Sequence, residues 1–140
     1  MATTTIEEND RILMSRLMRG DEEAFTQFFD QNIEPLSQFA RERTRGDQSA
    51  ADATVRRTLV EAVRNLDSWR GRTSVQSWLT TIYADVARST AADDTPGPIR
   101  EIVHREWQAV TTKRAQKRVM TSLVAAIVVG TIILLFNCPG

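Results

Sequence analysis

Hydrophobic positions follow two patterns along this chain. From Val119 to Gly140 no charged side chain occurs, and the apolar run Val119–Phe136 is interrupted only by Thr121, Ser122, Gly130 and Thr131. Before it, apolar residues recur every three or four positions among many charges, the period of helices with one buried face. An eighteen-residue apolar run is about 27 Å long as a helix, close to the ~30 Å hydrocarbon core of a bilayer. Lys113, Arg114, Lys117 and Arg118 stand immediately before the run and no base follows it. The positive-inside rule then holds the preceding chain in the cytoplasm and sends only 137–140 across. A hydrophobic helix tucked into a soluble core is the competing arrangement, and the basic flank favours the span.

Four amphipathic segments precede this run. The first, Ile6 to Met18, carries Leu13, Met14, Leu17 and Met18 on one face. Gly20 ends it, and Asp21 is placed to cap the second, with Glu22 and Glu23 in its first turn. There Phe25, Phe28, Phe29, Ile33, Leu36, Phe39 and Ala40 form the inner face, and Pro35 predicts a kink or break near Asn32–Glu34. After a turn at Thr44–Gln48, Ser49 and Asp52 have the spacing of a capping pair for a third helix reaching Leu66. Its inner face is Val55, Leu59, Ala62, Val63 and Leu66. A loop at Asp67–Thr73 follows, and Thr73 with Gln76 has capping-box spacing for a fourth helix lined by Val75, Trp78, Leu79, Ile82 and Val86.

No strand-like alternation competes, so the chain reads as all-α: a four-helix bundle, a juxtamembrane helix and one C-terminal transmembrane helix. The divisions are a helical body at 1–90, a linker at 91–98 (AADDTPGP), a basic helix at 99–118, the span at 119–136 and a short outer tail at 137–140. Ile99, Ile102, Val103, Trp107 and Val110 give the basic helix a weak apolar stripe. Trp107 fits either the membrane interface or a contact with the body. Ser122, Ala126 and Gly130 set three small side chains on one face of the span, an arrangement that permits close packing of two copies.

Charge sharpens this division. The formal net charge is zero, yet 1–97 holds twelve Arg against sixteen acids, while 98–140 holds six bases against two acids. An acidic body is poorly suited to binding DNA by phosphate neutralisation alone. The single Cys138 excludes an intramolecular disulfide and a cysteine zinc site. His104, the one histidine, has Glu101 and Glu106 near it in sequence and reads as a solvated side chain or a pH-responsive one. No phosphate-binding glycine loop or metalloprotease signature occurs, and the carboxylates Glu22, Glu23, Asp47 and Asp52 sit at helix starts, where capping accounts for them. No enzyme, cofactor or metal site is expected.

Arg19–Gly20–Asp21–Glu22–Glu23–Ala24–Phe25, Leu66–Asp67–Ser68–Trp69–Arg70–Gly71 and Arg72–Thr73–Ser74–Val75–Gln76–Ser77–Trp78–Leu79 occur in order along 10–90. Together they resemble region 2 of extracytoplasmic-function sigma factors, the sigma-70 family subunits that direct bacterial RNA polymerase to promoters. The resemblance implies a polymerase-docking face on the third helix, whose positions here are Ala53, Arg56, Arg57 and Val60. It further implies contact with the promoter −10 element through the loop and fourth helix, at Arg70, Arg72, Thr73, Ser74, Gln76 and Trp78. Trp78 also fits a core position at its spacing with Leu79 and Ile82.

Departures accompany the likeness. Arg57 stands where the family carries Glu, and Ala53 where it carries Asp, which removes attraction to a basic partner and adds repulsion. Arg88 is the one base in 73–99, and too little chain follows Pro98 for a region 4 helix-turn-helix before the apolar run. Two functions follow as expectations. One is a sigma-like initiation factor on the cytoplasmic membrane, binding RNA polymerase core and promoter DNA. The other is a membrane-tethered interaction module, signalling or regulatory, whose partner is another protein.

Overall fold

The computed structural model describes residues 2–89 and 95–136, and its architecture is all-helical, with no strand among the described residues. Five helices follow in order: α1 (Ala2–Met18), α2 (Glu22–Arg43), α3 (Gln48–Arg64), α4 (Val75–Arg88) and α5 (Ile99–Phe136), with a 3₁₀ turn at Leu66–Ser68 before α4. Of the expected linker, 91–94 lies outside the described residues, as does the expected tail 137–140.

The α1–α2 corner forms by local chemistry. Gly20 takes a positive φ of 86° and donates its N–H to Leu17 O, closing α1 with a conformation that disfavours side chains. Asp21 then caps α2, its Oδ1 accepting from the N–H groups of Glu23 and Ala24, while its Oδ2 accepts from Arg16 Nε at 2.8 Å. The same side chain thus starts one helix and ties it to the preceding one.

Three helix boundaries differ from the sequence expectation. Pro35 lies inside α2 without ending it. Pro35 and Gln31 both sit on the exposed face, so the Gln31 carbonyl that loses its N–H partner remains open to water. Asp47, not Ser49, caps α3, accepting from the Ala50 N–H, and Asp52 instead accepts from Gln48 Nε2. Ser74, not Thr73, caps α4, accepting from the Ser77 N–H at 3.1 Å. Thr73 is held outside the helix because its carbonyl accepts the Trp69 indole N–H at 3.1 Å.

The core takes Leu13, Met14 and Leu17 from α1, Phe25, Phe28 and Leu36 from α2, Val55, Leu59 and Val63 from α3, and Val75, Leu79 and Tyr83 from α4. Ile33, Phe39, Trp78 and Ile82, expected on inner faces, are only partly buried at its margin. Tyr83 takes an interior place instead, meeting Phe39 edge-on.

The larger departure concerns α5. Its first turns belong to the bundle: Ile102, Val103 and Trp107 are buried, so the expected four-helix body is a five-helix one. Trp107 is 1% exposed, stacks on Phe25 at 4.9 Å between ring centroids, and donates its indole N–H to Leu17 O at 3.0 Å. Body packing, not an interfacial position, is its role. His104 is likewise not free in solvent: its Nε2 lies 2.7 Å from Glu22 Oε2 and its ring meets the edge of Phe25. Glu22, and not the sequence neighbours Glu101 and Glu106, is its acidic partner.

Beyond Arg118 the same helix continues without a break to Phe136, long and apolar enough to cross a membrane, and none of that apolar stretch is buried against the protein. Leu123, Ile127, Leu134 and Phe136 are all exposed. The competing arrangement, an apolar helix shielded in the bundle, is not what the chain adopts.

Trp107→Ala should destabilise the bundle by about 3–5 kcal/mol, from lost burial plus an unfilled cavity. Denaturant unfolding of the full chain in detergent, followed by helical circular dichroism, measures it. Acid should act at the α1–α2 corner. The Arg16 side-chain hydrogen bond holds Asp21 below its ordinary value near 3.8, and the His104 hydrogen bond holds Glu22 below 4.5. Both carboxylates therefore stabilise the fold above those values, and the contribution is lost as pH falls through the lowered ones. The melting temperature should drop as pH falls below about 4.5, and more shallowly in Asp21→Asn plus Glu22→Gln.

Candidate partner groove and basic loop

α3 and α5 run in the same direction and enclose, with α4, a groove of about 670 Å³. Its apolar floor comes from Val60, Ile82, Val86 and Ile102, and its walls carry Arg56, Arg57, Arg64 and Arg105 with Glu61, Asp85 and Glu106. The acids are partly spent on neighbours. Glu106 Oε2 accepts from Arg64 Nε at 2.9 Å, Glu61 Oε1 accepts from Asn65 Nδ2 at 2.7 Å, and Asp85 lies 3.8 Å from Arg88. Arg57 and Arg105 have no ion pair among the described residues, so the groove offers positive charge over an apolar floor. That combination suits an amphipathic helix or loop with carboxylates on its rim.

Three of the four positions expected on a partner face, Arg56, Arg57 and Val60, come together on this groove; Ala53 is half-buried elsewhere on α3. Arg64 and Arg105 belong to the same surface, and sequence reasoning missed both. Arg105 joins only because α5 folds back beside α3, a placement no local pattern encodes.

The six residues expected to meet DNA divide differently. Arg70, Arg72, Thr73 and Gln76 are exposed around the head of α4. Ser74 is occupied as the α4 cap, its Oγ accepting from the Ser77 N–H and donating to Ser77 Oγ. Trp78 is half-buried against the core and donates its indole N–H to Ser68 Oγ at 3.2 Å. The loop is braced from three sides. Trp69, 9% exposed, bonds across it to Thr73 O, Arg11 Nη2 donates to Gly71 O at 3.4 Å, and Asp10 Oδ2 accepts from the Val75 N–H at 2.9 Å. Gly71 has a φ of 70°, and a Cβ there would lie 3.2 Å from Arg11 Nε. Both backbone conformation and crowding favour glycine.

Among the described residues no group of histidine, cysteine or carboxylate side chains is arranged to hold a metal ion. Comparison with known proteins leaves the chain by itself: no family model, no curated protein and no solved structure matches it.

Asp10 was not singled out by sequence, yet it satisfies the first free N–H of α4 from another helix, sixty-five positions away. Asp10→Ala should cost about 1–2 kcal/mol, within the range of a lost cap. Hydrogen exchange at Val75 should rise with it, whereas an unchanged exchange rate would show that the contact carries no stability.

Proposed function

We propose that this protein is a membrane-anchored regulatory module, built on a sigma region 2-like helical body, that works by holding a protein partner in the α3–α4–α5 groove. The observation that carries this reading is the groove itself. Arg57 and Arg105 stand without ion pairs among the described residues over Val60, Ile82 and Ile102, next to an apolar helix that suits the module to a membrane. In this reading residues 119–136 cross the cytoplasmic membrane once, with the bundle in the cytoplasm, in keeping with the basic flank at 113–118. RNA polymerase is the first partner to test, because the resemblance to sigma region 2 lies in the words that build α2, the loop and α4.

Arg56 and Arg57 where the family carries Gln and Glu, and Ala53 where it carries Asp, argue for a partner surface of opposite sign to the usual one, so an acidic segment is the expected occupant. A second reading, promoter −10 binding, is favoured by one observation: Arg70, Arg72, Thr73 and Gln76 all project from the head of α4. Unpaired bases and their phosphates are held by such exposed basic and polar groups.

Affinity purification of the full-length chain from detergent-solubilised membranes should retain a stoichiometric protein. Arg57→Glu plus Arg105→Glu should lower its retention roughly tenfold or more. Polymerase subunits in the eluate support the transcriptional role, and a different stoichiometric protein supports a module outside transcription. Retention that ignores both charge reversals would remove the groove as the binding surface. Salt-sensitive binding of single-stranded −10 DNA, lost in Arg70→Ala plus Arg72→Ala, would support the second reading.

A further inference from the structure

Two contacts fix which face of α5 meets the body nearest the apolar stretch. A side chain on Gly20 would meet Thr111 at 3.7 Å, and Asp67 lies 3.5 Å from Arg114. At about 100° per residue, Trp107, Thr111, Arg114, Arg118 and Thr121 fall within about 80° of one another around the helix. The face that is buried at Trp107 therefore continues beyond the body as Arg118 and Thr121. There Arg114, Lys117, Arg118, Thr121 and Ser122 line a recess of about 570 Å³. A cleft of about 350 Å³ adjoins it through Arg118 and Ser122 and runs on beside Val119, Leu123 and Ala126. From Arg114 to Val119 the helix rises about 7.5 Å. The polar layer on each side of a bilayer is roughly 5–8 Å deep. The recess thus lies at headgroup depth and the cleft at the first acyl carbons, on the reading that 119–136 spans the bilayer.

The recess has positive charge and a hydrogen-bond donor to spare. Lys117 and Arg118 are exposed and have no ion pair among the described residues, and no acid follows Glu106 in the sequence. Asp67, largely exposed and 3.5 Å away, offsets only part of the Arg114 charge. Thr121 and Thr131 each donate their hydroxyl to the carbonyl four residues back, at 2.8 Å. Ser122 makes no such bond among the described residues, which leaves its hydroxyl to donate elsewhere. We infer that the recess binds the phosphate of one anionic phospholipid between the Lys117 and Arg118 side chains and the Ser122 hydroxyl, with an acyl chain in the adjoining cleft. A phosphate diester matches these donors, because hydrogen bonds between ionised partners are the strong ones. A lipid that also carries a choline or ethanolamine ammonium fits less well, since Lys117 and Arg118 repel a second cation at the same depth. The site differs from a uniformly basic flank in being one-sided. Lys113 is exposed too, but it sits about 140° round the helix from Arg118 and does not line the recess.

The test uses the full-length chain in a non-ionic detergent, with native mass spectrometry counting the lipid bound. Phosphatidylglycerol should bind first, as a single copy per chain, and phosphatidylcholine roughly tenfold more weakly. Arg118→Gln should weaken that first copy roughly fivefold, the effect of one cation at a membrane surface. Ser122→Ala, which leaves the charge as it is, should weaken it by a similar factor through one lost hydrogen bond. Lys113→Gln should leave it nearly unchanged. A loss as large in Lys113→Gln as in Arg118→Gln would overturn the proposal, because the flank would then act only as diffuse charge. So would displacement of the lipid by glycerol phosphate, since a free phosphate ester would then be the ligand. The span is tested apart from the site, with Cys138→Ser and a fluorophore on Val128→Cys in lipid discs that carry a nitroxide deep in the acyl chains. Quenching there, together with equal binding of the two lipids, overturns the lipid site alone, and no quenching overturns both.

Discussion

Trp107 is the joint on which this molecule turns. Its ring is enclosed by Phe25 and the α1 helix end, and its indole N–H is satisfied by Leu17 O, so the polar atom of a large aromatic side chain is buried without penalty. Through this contact a helix that would otherwise dangle from the body becomes part of its core. The same helix then leaves the bundle and continues as an apolar rod. A flexible hinge would let the body tumble relative to the rod; a packed helix does not.

Several features follow from that joint. With α5 held beside α3, Arg105 and Ile102 complete a groove that α3 and α4 leave open by themselves. With Thr111 beside Gly20 and Arg114 beside Asp67, the α1–α2 corner and the start of the α3–α4 connection meet the same stretch of α5. His104 and Gln108 reach Glu22 from the same face of α5, adding polar contacts around the buried aromatic cluster. These pairs are exposed and individually weak. Their value is in fixing the rotation of α5 about its axis, which decides which residues face the groove.

Much of the fold was legible in the residues themselves. The phenylalanine spacing of α2, the Gly20–Asp21 corner and the charge-free tail each encode their structure locally, because helix period, capping and hydropathy are properties of neighbouring residues. The site was legible in part. Arg56, Arg57 and Val60 do share a surface, and Arg70, Arg72, Thr73 and Gln76 are exposed, but Ser74 and Trp78 are engaged in holding the loop. The misplaced caps have one cause in common. Ser49 and Thr73 satisfied a spacing rule, but turn geometry at Asp47 and bonds from Trp69 and Asp10 decided where the first helical N–H groups found partners.

By itself the sequence determined which segments are helical, where the apolar stretch begins, and that the bases cluster before it. All three depend on residues a few positions apart. What only the tertiary structure decided was the fate of 99–110. A weak stripe of Ile102, Val103 and Trp107 is ambiguous between lipid interface and protein core, because hydrophobicity is non-directional and gives no address. Long-range contact with Leu17 and Phe25 resolved it, and with it the groove and the partner of His104.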